Sequence, residues 1–158
     1  MENQPTSAVE RRLAELGLEL PPLAAPVAAY VPAVVSGDYV YTSGQLPFIQ
    51  GELTAKGKVG ADVDPEAAYA LAATCAVNAL AAVKSVIGDL DRIRRIVKVV
   101  GFVASDPSFT GQPGVVNGAS ELLGKVFGDA GIHARSAVGV AVLPLDAPVE
   151  VELVAEFS

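Results

Sequence analysis

Apolar residues recur along the chain at helical spacing in some stretches and at strand spacing in others, and turn residues separate the stretches. Val9, Leu13 and Leu16 lie at helical spacing behind Ser7-Ala8-Val9-Glu10, which has the form of a capping box, and Gly17 stops the run; a short N-terminal helix is predicted. Pro21, Pro22 and Pro26 follow as an extended connector. Val27 to Val35 and Tyr39 to Thr42, on either side of Ser36-Gly37-Asp38, read as a hairpin. Residues 48 to 63 mix glycines and charges with little periodicity, which predicts a loop with one short strand at most. Asp64-Pro65-Glu66 combines an N-cap, a first-turn proline and an acidic first turn, and the helix it opens runs to Gly88. Leu71, Cys75, Asn78, Ala82 and Val86 fall on one face, with Ala68, Ala72, Ala79 and Val83 beside it, and so many alanines predict close packing on a sheet. Ile96 to Ala104 is apolar on both parities, the pattern of a central strand covered on both faces. Val115 to Phe127 reads as a second amphipathic helix stopped by Gly128. Arg135 to Leu143 and Val149 to Phe157 are the last strands, joined across Pro144 to Pro148.

The order helix, β, β, α, β, α, β, β predicts an α+β fold with two helices on one face of a mixed sheet. The other face then needs a cover, and self-association supplies one. A length of 158 residues fits one domain, divided into an N-terminal helix and Pro-rich connector over 1–26 and the main domain over 27–158. Hydrophobic residues make up 51% of the chain and charged ones 18%, with a mean hydropathy of +0.44, a surplus that suits a subunit interface. Apolar runs are expected to fall short of the ~18 residues a spanning helix needs, so a soluble protein with no membrane span is predicted.

A formal charge of −7 and a pI near 4.6 oppose a general nucleic-acid binder, which needs clustered cations. The one basic cluster, Arg92, Arg94, Arg95 and Lys98, reads as a solvated strand edge. The single Cys75 excludes an internal disulfide and multi-cysteine metal sites, and its Ala-rich surroundings make it a small core residue. Met1 to Pro5 has neither a basic nor an apolar leader segment, so a cytoplasmic location is expected.

No Gly-rich phosphate loop, Ser-centred elbow or metal-ligand spacing around the lone His133 is present, and His133 reads as structural or solvent-facing. A charged pair remains among apolar strands: Arg135 opens one strand and Glu150 the next. Two readings of Arg135 stand, a strand-end side chain reaching solvent and a buried cation paired with Glu150 or a ligand carboxylate.

Ala134-Arg135-Ser136-Ala137-Val138, Leu143-Pro144 and Val149-Glu150-Val151-Glu152 resemble the C-terminal signature of the RidA/YjgF family. Thr42-Ser43-Gly44-Gln45-Leu46-Pro47 resembles its N-terminal signature, Tyr30 stands where the family's active-site tyrosine falls, and Val116-Asn117 lies between. The resemblance covers about residues 27 to 157. It implies a chorismate-mutase-like α+β fold, a homotrimer with a central barrel, and three clefts between subunits. It also implies hydrolysis of 2-imino or 2-enamino acids to 2-keto acids and ammonia, without a cofactor. Carried over by position, Arg135 would hold the substrate carboxylate and Glu150 would activate water, with Tyr30, Ser43, Gly44 and Asn117 lining the cleft. Ala137 stands where typical members carry cysteine. Two alternatives share the same residues: a non-enzymatic trimer that binds a small carboxylate through Arg135, and an endoribonuclease, which the acidic composition and single histidine disfavour.

Overall fold

The computed structural model describes residues 7–23 and 29–158. The first helix, α1 (Ala8–Glu15), forms as its capping residues dictate: Ser7 Oγ accepts from Glu10 N at 2.9 Å. Val9 and Leu13 point into the main core, and the first turn of the helix is pinned. The carboxylate of Asp91 accepts from Ala8 N at 2.9 Å and from Val9 N at 3.0 Å, and Lys84 Nζ meets Glu10 Oε1 at 2.6 Å. Asp91→Asn puts an amide against one of those two donors, and is expected to lower stability by about 1–2 kcal/mol, read as a lower urea midpoint at unchanged slope.

The hairpin strands are β1 (Ala33–Ser36) and β2 (Tyr39–Thr42). β1 starts later than the apolar run that predicts it; of that run, Val27 and Ala28 lie outside the described residues, as does Pro26 of the connector. Pro32 has no amide hydrogen to give a ladder, and its carbonyl accepts instead from Ser43 N at 2.7 Å. The loop that follows holds two very short strands rather than one, β3 (Phe48–Ile49) and β4 (Glu52–Leu53), turning at Gln50 and Gly51. Asn78 ties this ribbon down, donating to Leu46 O at 3.0 Å and Phe48 O at 3.1 Å.

Helix α2 (Pro65–Ile87) opens on Asp64, whose side chain accepts from Glu66 N, and ends at Gly88. By length and composition it is apolar enough to cross a membrane, which corrects the expectation that no run reaches that length. Its apolarity goes into the core: nearly every side chain from Leu71 to Val83 is buried, because α2 is covered by the sheet on one side and by a second helix on another. Val86, placed by spacing on the buried face, is exposed, and Ile87 beside it is the residue that enters the core at the helix end.

Strand β5 (Ile93–Ala104) is central, followed by α3 (Gln112–Phe127), β6 (Ala134–Val140) and β7 (Val149–Phe157). The five-stranded sheet runs β1-β2-β7-β5-β6, with β5 and β6 parallel and all other pairs antiparallel. A parallel pair needs a crossover, which α3 supplies, so α2 and α3 pack on the same face of the sheet as predicted. On β7, Val149, Val151, Leu153 and Ala155 are buried under the helices, while Glu150, Glu152, Val154 and Glu156 alternate onto the uncovered face. That face also carries exposed Tyr39 and Tyr41 from β2 and Val138 from β6.

Arg94 and Arg95 lie where β5 is paired on one side only, since β6 joins it from Lys98 onward, and with Arg92 they are exposed, as the solvated-edge reading expects. Arg92 donates to Ile87 O and Ser158 O and lies over the Phe157 ring at 5.2 Å, and Lys98 Nζ reaches Ser136 Oγ at 3.1 Å. Arg92 and Lys98 thereby also tie neighbouring segments together.

Candidate functional site

Arg135 sits on the helix-facing parity of β6, opposite the buried Val99 of β5. Its Nη1 donates to Asn117 Oδ1 at 2.7 Å and to Ser120 Oγ at 3.2 Å, both from α3. Ser120 Oγ is in turn 2.9 Å from His133 Nε2, and His133 Nδ1 is 2.6 Å from Gly131 O. Arg135 is half-buried and accordingly paired, neither a free strand-end side chain nor the partner of Glu150. Ser120 and His133 are absent from the residues the sequence singles out for this site. Both follow from spacing once Arg135 is chosen: Ser120 is one helical turn from Asn117, and His133 shares strand parity with Arg135.

Glu150 belongs to a different group of residues. It lies on the uncovered face of β7, opposite Phe102. A Cβ added to Gly44 would come 2.8 Å from the Glu150 carboxyl carbon and displace that side chain, so glycine leaves the carboxyl in its place against the loop. The next residue, Gln45, exchanges backbone hydrogen bonds with Val151 at 2.8 and 3.0 Å, which fixes that approach. Ser43 Oγ donates to Val31 O at 2.6 Å, holding the segment that carries Tyr30 against the same loop. Tyr30 itself is 67% exposed, not a core aromatic, and is open to whatever covers this end of the sheet. Partial burial, with Glu152 adding a smaller like-charge effect, raises the Glu150 carboxyl above its ordinary 4.5.

Glu150→Gln follows from that shift. An acid whose folded pKa is raised holds its proton more tightly in the native state, so ionisation costs stability as pH climbs through the raised value. The variant is expected to show a higher urea midpoint than wild type at neutral pH, and no gain near about pH 2.5, well below the ordinary 4.5, where the carboxyl is protonated in folded and unfolded chains alike.

The two groups do not meet within one chain. The register aligns Arg135 with Val99 and Leu153, and Glu150 with Phe102, so the two residues are separated by two strand spacings and three residues of rise. That is about 14 Å between Cα atoms, with side chains on opposite faces of the sheet. Cys75 contributes no thiolate: it is buried, its Sγ lies 3.8 Å from Val149 O, and burial, reinforced by the Glu150 charge, pushes the thiol well up. Among the described residues, no group of three His, Cys, Asp or Glu side chains could hold a metal ion.

Residues 10–157 match the family model described as "YjgF/chorismate_mutase-like, putative endoribonuclease". The chain belongs to the YjgF/endoribonuclease L-PSP family. Protein TCP17 of Trypanosoma cruzi is 45% identical over 153 residues, covering 95% of this chain and 94% of that protein. The solved structure of Atu1372 from Agrobacterium tumefaciens, a protein of unknown function, is 48% identical with a TM-score of 0.88, covering 95% of this chain and 92% of the other. A "putative endoribonuclease" from Shewanella oneidensis is 38% identical with a TM-score of 0.90, covering 94% and 99%. Membership confirms the YjgF resemblance and the α+β, chorismate-mutase-like architecture read from the two signatures. The match from residue 10 takes in α1 as well as the sheet and its two helices.

Proposed function

We propose that the chain hydrolyses small 2-imino or 2-enamino acids to 2-keto acids and ammonia, in clefts between the subunits of a homotrimer. The observation that carries this reading is the separation of Arg135 from Glu150, by about 14 Å and a sheet face. A cation able to take a carboxylate and a half-buried carboxyl able to take a proton are both present, and only a second copy of the chain can bring them to one small substrate. The uncovered sheet face, with Tyr39, Tyr41 and Val138 exposed, supports such an assembly.

In that cleft Arg135 holds the substrate carboxylate in a two-pronged contact, steadied by Asn117. Glu150 of the neighbouring copy takes a proton from water as the water oxygen bonds to the imine carbon, and passes that proton to the nitrogen as the C=N π bond opens, giving a carbinolamine. Glu150 then carries the hydroxyl proton to the amine, and the C–N bond breaks as the C=O bond forms, releasing ammonia and leaving the keto acid. A raised carboxyl pKa suits Glu150 to this exchange, and Tyr30, Ser43 and Gly44 line the same side. An imine carbon is already electrophilic, so placement and proton transfer through one carboxyl suffice, without a cofactor.

The test is release of keto acid from freshly generated 2-iminopropanoate or 2-iminobutanoate. Wild-type protein is expected to accelerate it, and Arg135→Ala to lower kcat/KM by about a hundredfold or more, from the loss of two charge-assisted hydrogen bonds. No acceleration by wild type, or undiminished acceleration by Arg135→Ala, refutes the reading.

A second reading rests on the Arg135, Asn117 and Ser120 group, which is complete within one chain and requires nothing of Glu150. It makes the protein a keto-acid-binding trimer without turnover. Calorimetry with 2-oxobutanoate separates the two: binding by a wild type that shows no imine hydrolysis, and by Glu150→Gln alike, favours the binder.

A further inference from the structure

The hydrogen bonds around His133 have a direction. Gly131 O can only accept, so His133 Nδ1, 2.6 Å away, carries a hydrogen and donates it. In a ring with one hydrogen, Nε2 then offers a lone pair, and Ser120 Oγ at 2.9 Å must be the donor to it. With its only hydrogen committed to the ring, Ser120 turns its lone pairs elsewhere. Arg135 Nη1, 3.2 Å away, donates into them, and also donates to Asn117 Oδ1 at 2.7 Å. Two acceptors at Nη1 leave Nε and Nη2 as the edge open to a ligand carboxylate.

We propose that His133 and Ser120 form a positioning relay, in which Gly131 fixes the imidazole, the imidazole fixes the Ser120 hydroxyl, and the hydroxyl sets which edge of the Arg135 guanidinium faces the substrate. The proposal rests on the reading of Arg135 as a carboxylate anchor. The relay residues touch no substrate; they act through Arg135. An arginine side chain without such support loses entropy when it adopts the binding geometry, so loss of the relay weakens affinity more than turnover.

The chain holds a single histidine, so the ring nitrogens of 15N-labelled full-length protein can be read without ambiguity. In mildly alkaline buffer, wild type is expected to show a protonated Nδ1 and an unprotonated, hydrogen-bonded Nε2. Ser120→Ala should move the Nε2 signal toward that of an unbonded acceptor and average the Arg135 Nη signals, which are identified by their disappearance in Arg135→Lys. Ser120→Thr keeps the hydroxyl and should restore both. In the ligand arm, Ser120→Ala is expected to weaken 2-oxobutanoate binding and raise KM by about tenfold with kcat within about threefold, and Ser120→Thr to recover most of the loss. A hydrogen on Nε2 in wild type, Nη signals unchanged in Ser120→Ala, or unaltered affinity in Ser120→Ala overturns the relay. A wild type that neither binds nor turns over the ligand refutes the carboxylate-anchor reading instead, and the nitrogen signals still decide the relay.

Discussion

Arg135→Ala and Glu150→Gln chains, each inactive alone, are expected to regain about a quarter of wild-type turnover when co-expressed at equal ratio. The expectation follows from the position of the two residues on opposite faces of one sheet. If each cleft takes Arg135 from one subunit and Glu150 from its neighbour, a homotrimer of either variant has no competent cleft. A mixed trimer always contains one boundary at which the chain that kept Arg135 precedes the chain that kept Glu150, and hence one intact cleft. Random assembly makes about three trimers in four mixed, each with one cleft in three competent. The two variants purified separately and combined without subunit exchange should show nothing. If Arg135 and Glu150 instead worked together within one chain, no mixture could exceed the background of its parts, so absence of recovery in proven mixed trimers would refute the divided cleft. The sign is informative because neither a stability effect nor residual single-variant activity produces complementation.

The sequence alone carries the order of the longer elements because a sustained burial pattern such as the alternation along β7 can be read over many residues, whereas the two-residue β3 and β4 offer no period to read. The register between strands is less accessible. Arg135 and Glu150 look like neighbours along the chain's last two strands, and β7 in fact lies beyond β5 from β6, with Glu150 on the other parity. No pattern within either strand reveals that, since β5 intervenes through a long-range pairing. Local exceptions also have local causes. Tyr30 reads as part of a strand, but Pro32 and the Ser43 contact with Val31 hold its segment outside the ladder. Arg92 is exposed as it reads, and what spacing does not reveal is that it also caps carbonyls at Ile87 and Ser158, which meet only in the folded chain. The half-site around Arg135 was closer to legible: Asn117, Ser120 and His133 all stand at spacings that share a face with their neighbours in the network. What spacing lacks is the distance between α3 and β6, which decides whether those faces touch.

That distance depends on Gly118, and Gly118→Ala is expected to destabilise the protein by about 2–4 kcal/mol while weakening keto-acid binding. Gly118 lies on α3 where the helix crosses α2, and a Cβ placed there would be 1.9 Å from the backbone oxygen of Tyr69. Ordinary contact requires the helices to part by about 1.5 Å, and the obstacle is main chain rather than a side chain that can turn aside. Alanine is the better helix former by about 1 kcal/mol, so the substitution would stabilise an isolated α3. Repacking a buried helix pair costs more than that. The same contact is bridged by the hydrogen bond from Tyr69 to Glu121, which a wider gap would also break. Because Asn117 and Ser120 flank Gly118 on α3, any retreat of the helix carries both acceptors relative to Arg135 on β6. A lower urea midpoint together with weaker 2-oxobutanoate binding is therefore the expected pair of results. Unchanged stability would mean that α2 and α3 can separate freely at this crossing. A loss of stability with ligand binding intact would mean that Arg135 keeps its geometry without α3.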